Sequence, residues 1–292
     1  MFKGSLVALI TPMRADGSVD EKAYAEFVDW QIKEGTDAVV PVGTTGESPT
    51  LSHAEHRRVV EIAIEVAKGR VPVIAGAGSN STAEAIDLAR HAKQAGADAT
   101  LVVTPYYNKP TQEGMYLHFK AIVDAVDLPL IIYNIPPRSV VDMSVETMAR
   151  LAKHKNIIGV KDATANLVRP LHTRRACGED FCQLSGEDHT AISFLAAGGD
   201  GCISVTANIA PRLCAAMQDA WHEGRVKDAM EIQNRLVPLH DALFSETSPA
   251  PVKFGASLLG KTSEHCRLPL APIMEATRAK VRAAMTEVGL LN

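Results

Sequence analysis

Along this chain, short runs of β-branched and aliphatic residues alternate with longer stretches in which apolar positions recur at helical spacing. The runs at 6–10, 38–42, 72–75, 100–103, 129–133, 157–161, 182–184 and 202–205 predict eight strands. The stretches between them predict helices. One of about 14 residues is capped by Asp20 and ends near Gly35, and another opens at Ser52 with Glu55 in the capping-box position. Further helices are expected at 82–94, stopped by Gly96, at 112–126, after Ser144, from 166 to 176, briefly after Asp188, and at 209–222. Strand–helix alternation at this spacing implies a parallel sheet, and eight such units fit a closed α/β TIM (β/α)8 barrel. A dinucleotide-binding fold fits less well, because Gly76-x-Gly78 follows a strand without a third glycine three residues later.

Beyond Gly224 the strand pattern stops. Residues 225–244, a segment opening at Pro249-Ala250-Pro251, and 272–288 read as helices that a barrel does not need. The expected division is a catalytic barrel over 1–224 and a C-terminal helical appendage over 225–292. The appendage is expected to pack on the barrel side and support assembly, since no polar cluster in it resembles a catalytic set.

Composition acts mainly by exclusion. The 292 residues are 46% hydrophobic and 22% charged with a formal net charge of -4, and no basic stripe is visible, which argues against nucleic acid as a partner. No apolar run reaches the ~18 residues of a membrane span. Met1-Phe2-Lys3-Gly4-Ser5 leads straight into a strand-like run, so no signal peptide is expected and the chain is placed in the cytoplasm. Cys177, Cys182, Cys202, Cys214 and Cys266 form no Cys-x-x-Cys pair and read as reduced, mostly buried thiols. His53 and His56 are three apart on one helix face, but no acidic or cysteine ligand follows at a matching interval, so no metal is expected.

Candidate chemistry begins at Lys161, which ends the apolar run Ile157-Ile158-Gly159-Val160. A lysine on a buried strand is costly, because desolvation disfavours its charged form. Either it lies at a strand end and snorkels to water, or it is an amine nucleophile suited to Schiff-base chemistry on a carbonyl. Other polar residues collect at strand ends, where a barrel keeps its active site. The second strand ends in Gly43-Thr44-Thr45-Gly46-Glu47-Ser48, a possible carboxylate cradle as well as an ordinary turn. The fourth ends in Thr104-Pro105-Tyr106-Tyr107-Asn108 and the fifth in Tyr133-Asn134-Ile135-Pro136-Pro137-Arg138. Tyrosine hydroxyls can relay protons and arginine grips carboxylates. The loops Ser185-Gly186-Glu187-Asp188 and Thr206-Ala207-Asn208 lack lysine and arginine, which favours an unphosphorylated acid as substrate. Together, lysine, tyrosine, threonine and arginine on one barrel face describe a Schiff-base enzyme for a keto acid.

These four strand-end motifs, the last being Gly159-Val160-Lys161-Asp162-Ala163-Thr164, resemble the 4-hydroxy-tetrahydrodipicolinate synthase family, also called dihydrodipicolinate synthases, in order and spacing and over essentially the whole chain. The wider superfamily includes N-acetylneuraminate lyase. The resemblance implies that Lys161 forms an imine with pyruvate, whose enamine adds to L-aspartate 4-semialdehyde before ring closure. It implies a proton relay of Tyr133, Thr44 and Tyr107, the last serving a neighbouring subunit. Thr45 would hold the pyruvate carboxylate, Arg138 the semialdehyde carboxylate, and Gly186 and Ile203 would line the pocket. It further implies inhibition by L-lysine at Ser48, Pro49, His53, His56, Asn80, Glu84 and Tyr106, in a homotetramer built as a dimer of dimers. No organic cofactor is expected, because the lysine imine is itself the electron sink. The competing expectations are another pyruvate-dependent aldolase acting on a sugar acid, of the N-acetylneuraminate or 2-keto-3-deoxygluconate type, and a catalytically silent keto-acid sensor.

Overall fold

The computed structural model describes residues 2–291. In chain order the elements are β1 (Gly4–Ala8), α1 (Glu21–Lys33), β2 (Ala38–Val40), α2 (His53–Ala67), β3 (Ile74–Gly76), α3 (Thr82–Ala95), β4 (Ala99–Val103), α4 (Gln112–Ala125), β5 (Leu130–Asn134) and the single turn α5 (Pro136–Ser139). They continue as α6 (Val145–Leu151), β6 (Ile157–Asp162), α7 (Arg169–Cys177), β7 (Cys182–Ser185), α8 (Ala191–Ala196), β8 (Gly201–Ser204), α9 (Pro211–His222), α10 (Val226–Leu243), α11 (Ala250–Leu258) and α12 (Glu275–Glu287). The strands form one sheet in the order β2-β1-β8-β7-β6-β5-β4-β3. This is the strand–helix succession of a (β/α)8 barrel, as the hydrophobic pattern predicts.

The chain divides into two compact units, one of Pro72–Ile203 with the residues before Gly4, the other of Gly4–Val71 with the chain from Ser204 onward. In the first unit, β3 to β8 pair in parallel, with Ile131 opposite Gly159 and Tyr133 opposite Lys161. Leu130, Ile131, Ile132 and Leu184 are almost wholly buried, as strands covered on both faces require. In the second unit, Leu6, Val7 and Ala8 pair with Ala38, Val39 and Val40. Asn208 finishes the end of β1: its amide donates to the Ala8 carbonyl and accepts from Ile10 N. The capping signals are realised at Asp20, Ser52 with Glu55, and Ser144, whose side chains accept from backbone N–H groups of the first helical turn.

Several expected boundaries move, and three of the shifts have a local reason. The first strand ends at Ala8 because Ile10 N is taken by the Asn208 side chain. The second ends at Val40 because Val42 has φ +49, outside the extended region. The helix expected from residue 166 begins at Arg169, since Ala165 has φ +57 and Thr164 and Asn166 turn the chain by accepting from Asn166 N and Val168 N. All five cysteines are free, and burial pushes the Cys177 and Cys182 thiols up to about 11 and about 12, which leaves them unreactive at neutral pH. Among the described residues, no helix is long and apolar enough to cross a membrane.

Candidate active site

In the first unit the candidate lysine and tyrosine come from adjacent strands. Lys161 and Tyr133 are the penultimate residues of β6 and β5 and are register partners, so the two side chains leave the same face at the C-terminal strand ends. Both are buried, and Lys161 Nζ lies 4.3 Å from the centroid of the Tyr133 ring. Gly186, just beyond β7, closes in from the other side: a Cβ there would sit 2.7 Å from Ala163 Cβ and 3.1 Å from Lys161 Cε. Glycine at this position therefore leaves the lysine stem its room. Ile203 is buried in β8. Glu187 follows Gly186; burial and the neighbouring Asp188 raise its pKa, while His189 and the Lys161 charge pull it down.

The next residues on both strands point the other way and act as anchors. Asn134 and Asp162 are also register partners. Asp162 accepts from Thr164 N and Thr164 Oγ1 at 2.8 and 2.6 Å and pairs with Arg169 Nε at 3.1 Å. Arg169 reaches on to Asp142 and the Met143 carbonyl, while Asn134 Nδ2 donates to Asp142 and its Oδ1 accepts from Met143 N. Burial pushes the Asp162 carboxyl up, opposed by the Thr164 hydrogen bonds and the Arg169 charge. The network ties the ends of β5 and β6 together directly behind Tyr133 and Lys161.

The remaining candidates of this unit lie outward. Tyr106 is half-buried, whereas Tyr107 is 88% exposed and held at φ +73. A bulky residue in the left-handed region with its ring in solvent marks a constrained position with no packing role within the chain. Arg138 is exposed in α5. The half-buried Glu84 carboxylate accepts from Ser79 Oγ, and the Asn80 carbonyl accepts from Asn108 Nδ2 at 2.9 Å.

In the second unit, Thr44 and Thr45 occupy a tight turn, closed by Gly46 N to Gly43 O at 3.1 Å and Glu47 N to Thr44 O at 3.1 Å. Thr45 is buried and Thr44 half-buried. Ser48 and Pro49 open a short 3-10 turn into α2, whose first turn exposes His53 and buries His56. An ion pair that sequence reasoning did not foresee, between Glu47 of the quoted motif and a lysine it did not single out, completes this region. Glu47 and Lys253 of α11 form an ion pair of 2.6 Å in which both side chains are 0% exposed. The available signal was a lone cation in Ala250–Ala256, a stretch otherwise apolar or small and buried throughout.

A lysine and a tyrosine facing each other at the C-terminal ends of neighbouring strands in a (β/α)8 sheet are the arrangement that a barrel lyase of the Schiff-base-forming class requires. A model of the Dihydrodipicolinate synthetase family matches residues 1–288, and the chain belongs to that family. The 4-hydroxy-tetrahydrodipicolinate synthase of Acidiphilium cryptum is 72% identical over 291 residues, covering 100% of both chains. Among solved structures, the chloride-inhibited dihydrodipicolinate synthase of Acinetobacter baumannii, complexed with pyruvate, superposes with a TM-score of 0.97 at 46% identity over 100% of each chain. The dihydrodipicolinate synthase of Cyanidioschyzon merolae with lysine bound gives 0.97 at 38% identity over 99% of each.

Proposed function

We propose that this chain makes 4-hydroxy-tetrahydrodipicolinate from pyruvate and L-aspartate 4-semialdehyde, the first dedicated step toward diaminopimelate and lysine. Lys161 attacks the pyruvate carbonyl and expels water to give an imine, and loss of a methyl proton gives the enamine. The enamine carbon adds to the semialdehyde aldehyde; the substrate amine then attacks the imine carbon, closing the ring and releasing Lys161. Tyr133, Thr44 and Tyr107 are assigned to proton relay. Thr45 and its backbone are assigned to the pyruvate carboxylate, Arg138 to that of the semialdehyde, and Gly186 and Ile203 to the pocket lining.

The observation that carries this reading is the Tyr133–Lys161 register pair, with the amine 4.3 Å from the ring centroid and glycine where a side chain would crowd it. The pyruvate complex of the Acinetobacter baumannii relative supports the first substrate. The lysine-bound Cyanidioschyzon merolae relative supports feedback by L-lysine at Ser48, Pro49, His53, His56, Asn80, Glu84 and Tyr106. The exposed Tyr107 ring supports a second subunit beside it, in a homotetramer of paired dimers. Residues 1–224 are taken as the catalytic barrel and 225–292 as its helical appendage, working in the cytoplasm. Borohydride reduction with pyruvate, followed by peptide mass spectrometry, should place the adduct on Lys161; a label on Lys109 or Lys155 instead would overturn the assignment.

A further inference from the structure

The Thr44–Thr45 turn is strained at both ends. Val42 has φ +49 and Glu47 φ +58, and neither is a glycine. A β-branched residue in the left-handed region is a genuine outlier, and such conformations persist only where the surroundings over-determine them. Here they do. Thr11 Oγ1 donates to the Gly46 carbonyl at 2.8 Å. Lys253 Nζ donates to Glu47 Oε1 at 2.6 Å and to the Thr11 carbonyl at 2.9 Å. Arg267 N donates to Glu47 Oε2 at 2.9 Å. Arg267 is itself fixed, because its guanidinium reaches Glu55, the Thr50 carbonyl and the Gly17 carbonyl. Both oxygens of a wholly buried carboxylate are thus claimed by groups from the C-terminal part of the chain.

A buried ion pair is a poor means of gaining stability, since apolar residues of equal volume often do as well or better. What it supplies here is direction. Two charge-assisted bonds fix where the Glu47 side chain lies, Glu47 N holds the Thr44 carbonyl, and the peptide planes between them cannot relax. We infer that Lys253, Glu47 and the backbone of Arg267 are a positioning device for Thr44 and Thr45, setting pyruvate binding and proton relay from residues that touch no substrate. The inference rests on the proposed roles of those two threonines.

Two variants test it. Glu47→Gln keeps the shape, but its amide cannot accept from both Lys253 and Arg267 N, so one bond to the turn is lost. The folded variant should show pyruvate KM raised about tenfold and kcat lowered about tenfold, while borohydride at saturating pyruvate still labels Lys161. Lys253→Met combined with Glu47→Leu fills the space with apolar atoms; its melting temperature should return close to that of the unaltered chain while the kinetic defect stays. A merely structural pair predicts that stability and kinetics recover together. Unaltered kcat and pyruvate KM in either folded variant would overturn the positioning role, and should the double variant fail to fold, Glu47→Gln decides alone. Failure of pyruvate trapping at Lys161 in the unaltered chain would overturn the Schiff-base reading instead, so the two failures are distinguishable.

Discussion

Among the described residues two lysines are buried, and their surroundings differ. Lys253, at 0% exposure in α11, faces the Glu47 carboxylate at 2.6 Å and the Thr11 carbonyl. Lys161, at 6% exposure in β6, faces the ring of Tyr133, and its charge is felt by the Glu187 carboxyl. Both meet the sequence criterion of a cation in an apolar run. Burial alone therefore does not mark a nucleophile; what the amine faces does. A lysine held by a carboxylate has its hydrogens committed, whereas one at a strand end beside a tyrosine ring is placed as the proposed reaction with a carbonyl requires.

The comparison breaks most visibly at the two lysines themselves. Lys161→Met should keep the apolar stem and the fold, with the melting temperature unchanged or raised. Activity should fall roughly 10⁴–10⁶-fold, the scale seen when an essential nucleophile or its partner is removed. Equal loss of stability would make Lys161 a structural residue like Lys253. Tyr133→Phe comes next: steady-state kinetics should show a loss of about 10²–10⁴-fold with little change in folding, and a loss below about tenfold would reduce Tyr133 to packing.

Lys253→Met alone tests the other side. It strands a buried carboxylate, at a cost of about 3–5 kcal/mol. At roughly 2–4 °C per kcal/mol for a chain of this size class, calorimetry should find the melting temperature lowered by roughly 6–20 °C. An unchanged melting temperature would mean that Glu47 finds another partner.

The smallest expected effect concerns a third buried base. His118, in α4, bonds Thr82 Oγ1 through Nδ1 at 2.9 Å, and burial pushes its pKa down from 6.5 to about 4. Between those values the unfolded chain binds the proton and the folded chain does not, so stability falls as pH drops through that window and is flat above it. The loss across the window is on the order of 2–3 kcal/mol. Denaturant titrations from pH 7 to 4 should show His118→Gln losing less stability than the unaltered chain; parallel curves would show that His118 takes up its proton in the folded state.

Much of the fold is legible locally. Asp20, Ser52 with Glu55, and Ser144 announce their helices because the capping partners lie within a few residues. The burial of Lys161 follows from its strand for the same reason. Legibility fails where the deciding partner is distant or the backbone departs from a regular region. Nothing near Val42 predicts its positive φ. His53 and His56 share a helix face in projection, yet only His56 is buried. Nothing local predicts that Lys253 meets Glu47, 206 residues earlier. The helical appendage, expected only to pack and support assembly, sends a charged side chain to the turn that carries two candidate site residues.

That separation has a consequence for the newly made chain. Glu47 emerges from the ribosome 206 residues before Lys253 and 220 before Arg267. At about 5–20 residues per second this is a wait of roughly 10–40 s. During that time the carboxylate has neither of its final partners. Every residue proposed for the chemistry has been translated by Ile203, whereas both partners of the Glu47 carboxylate lie in the last third of the message.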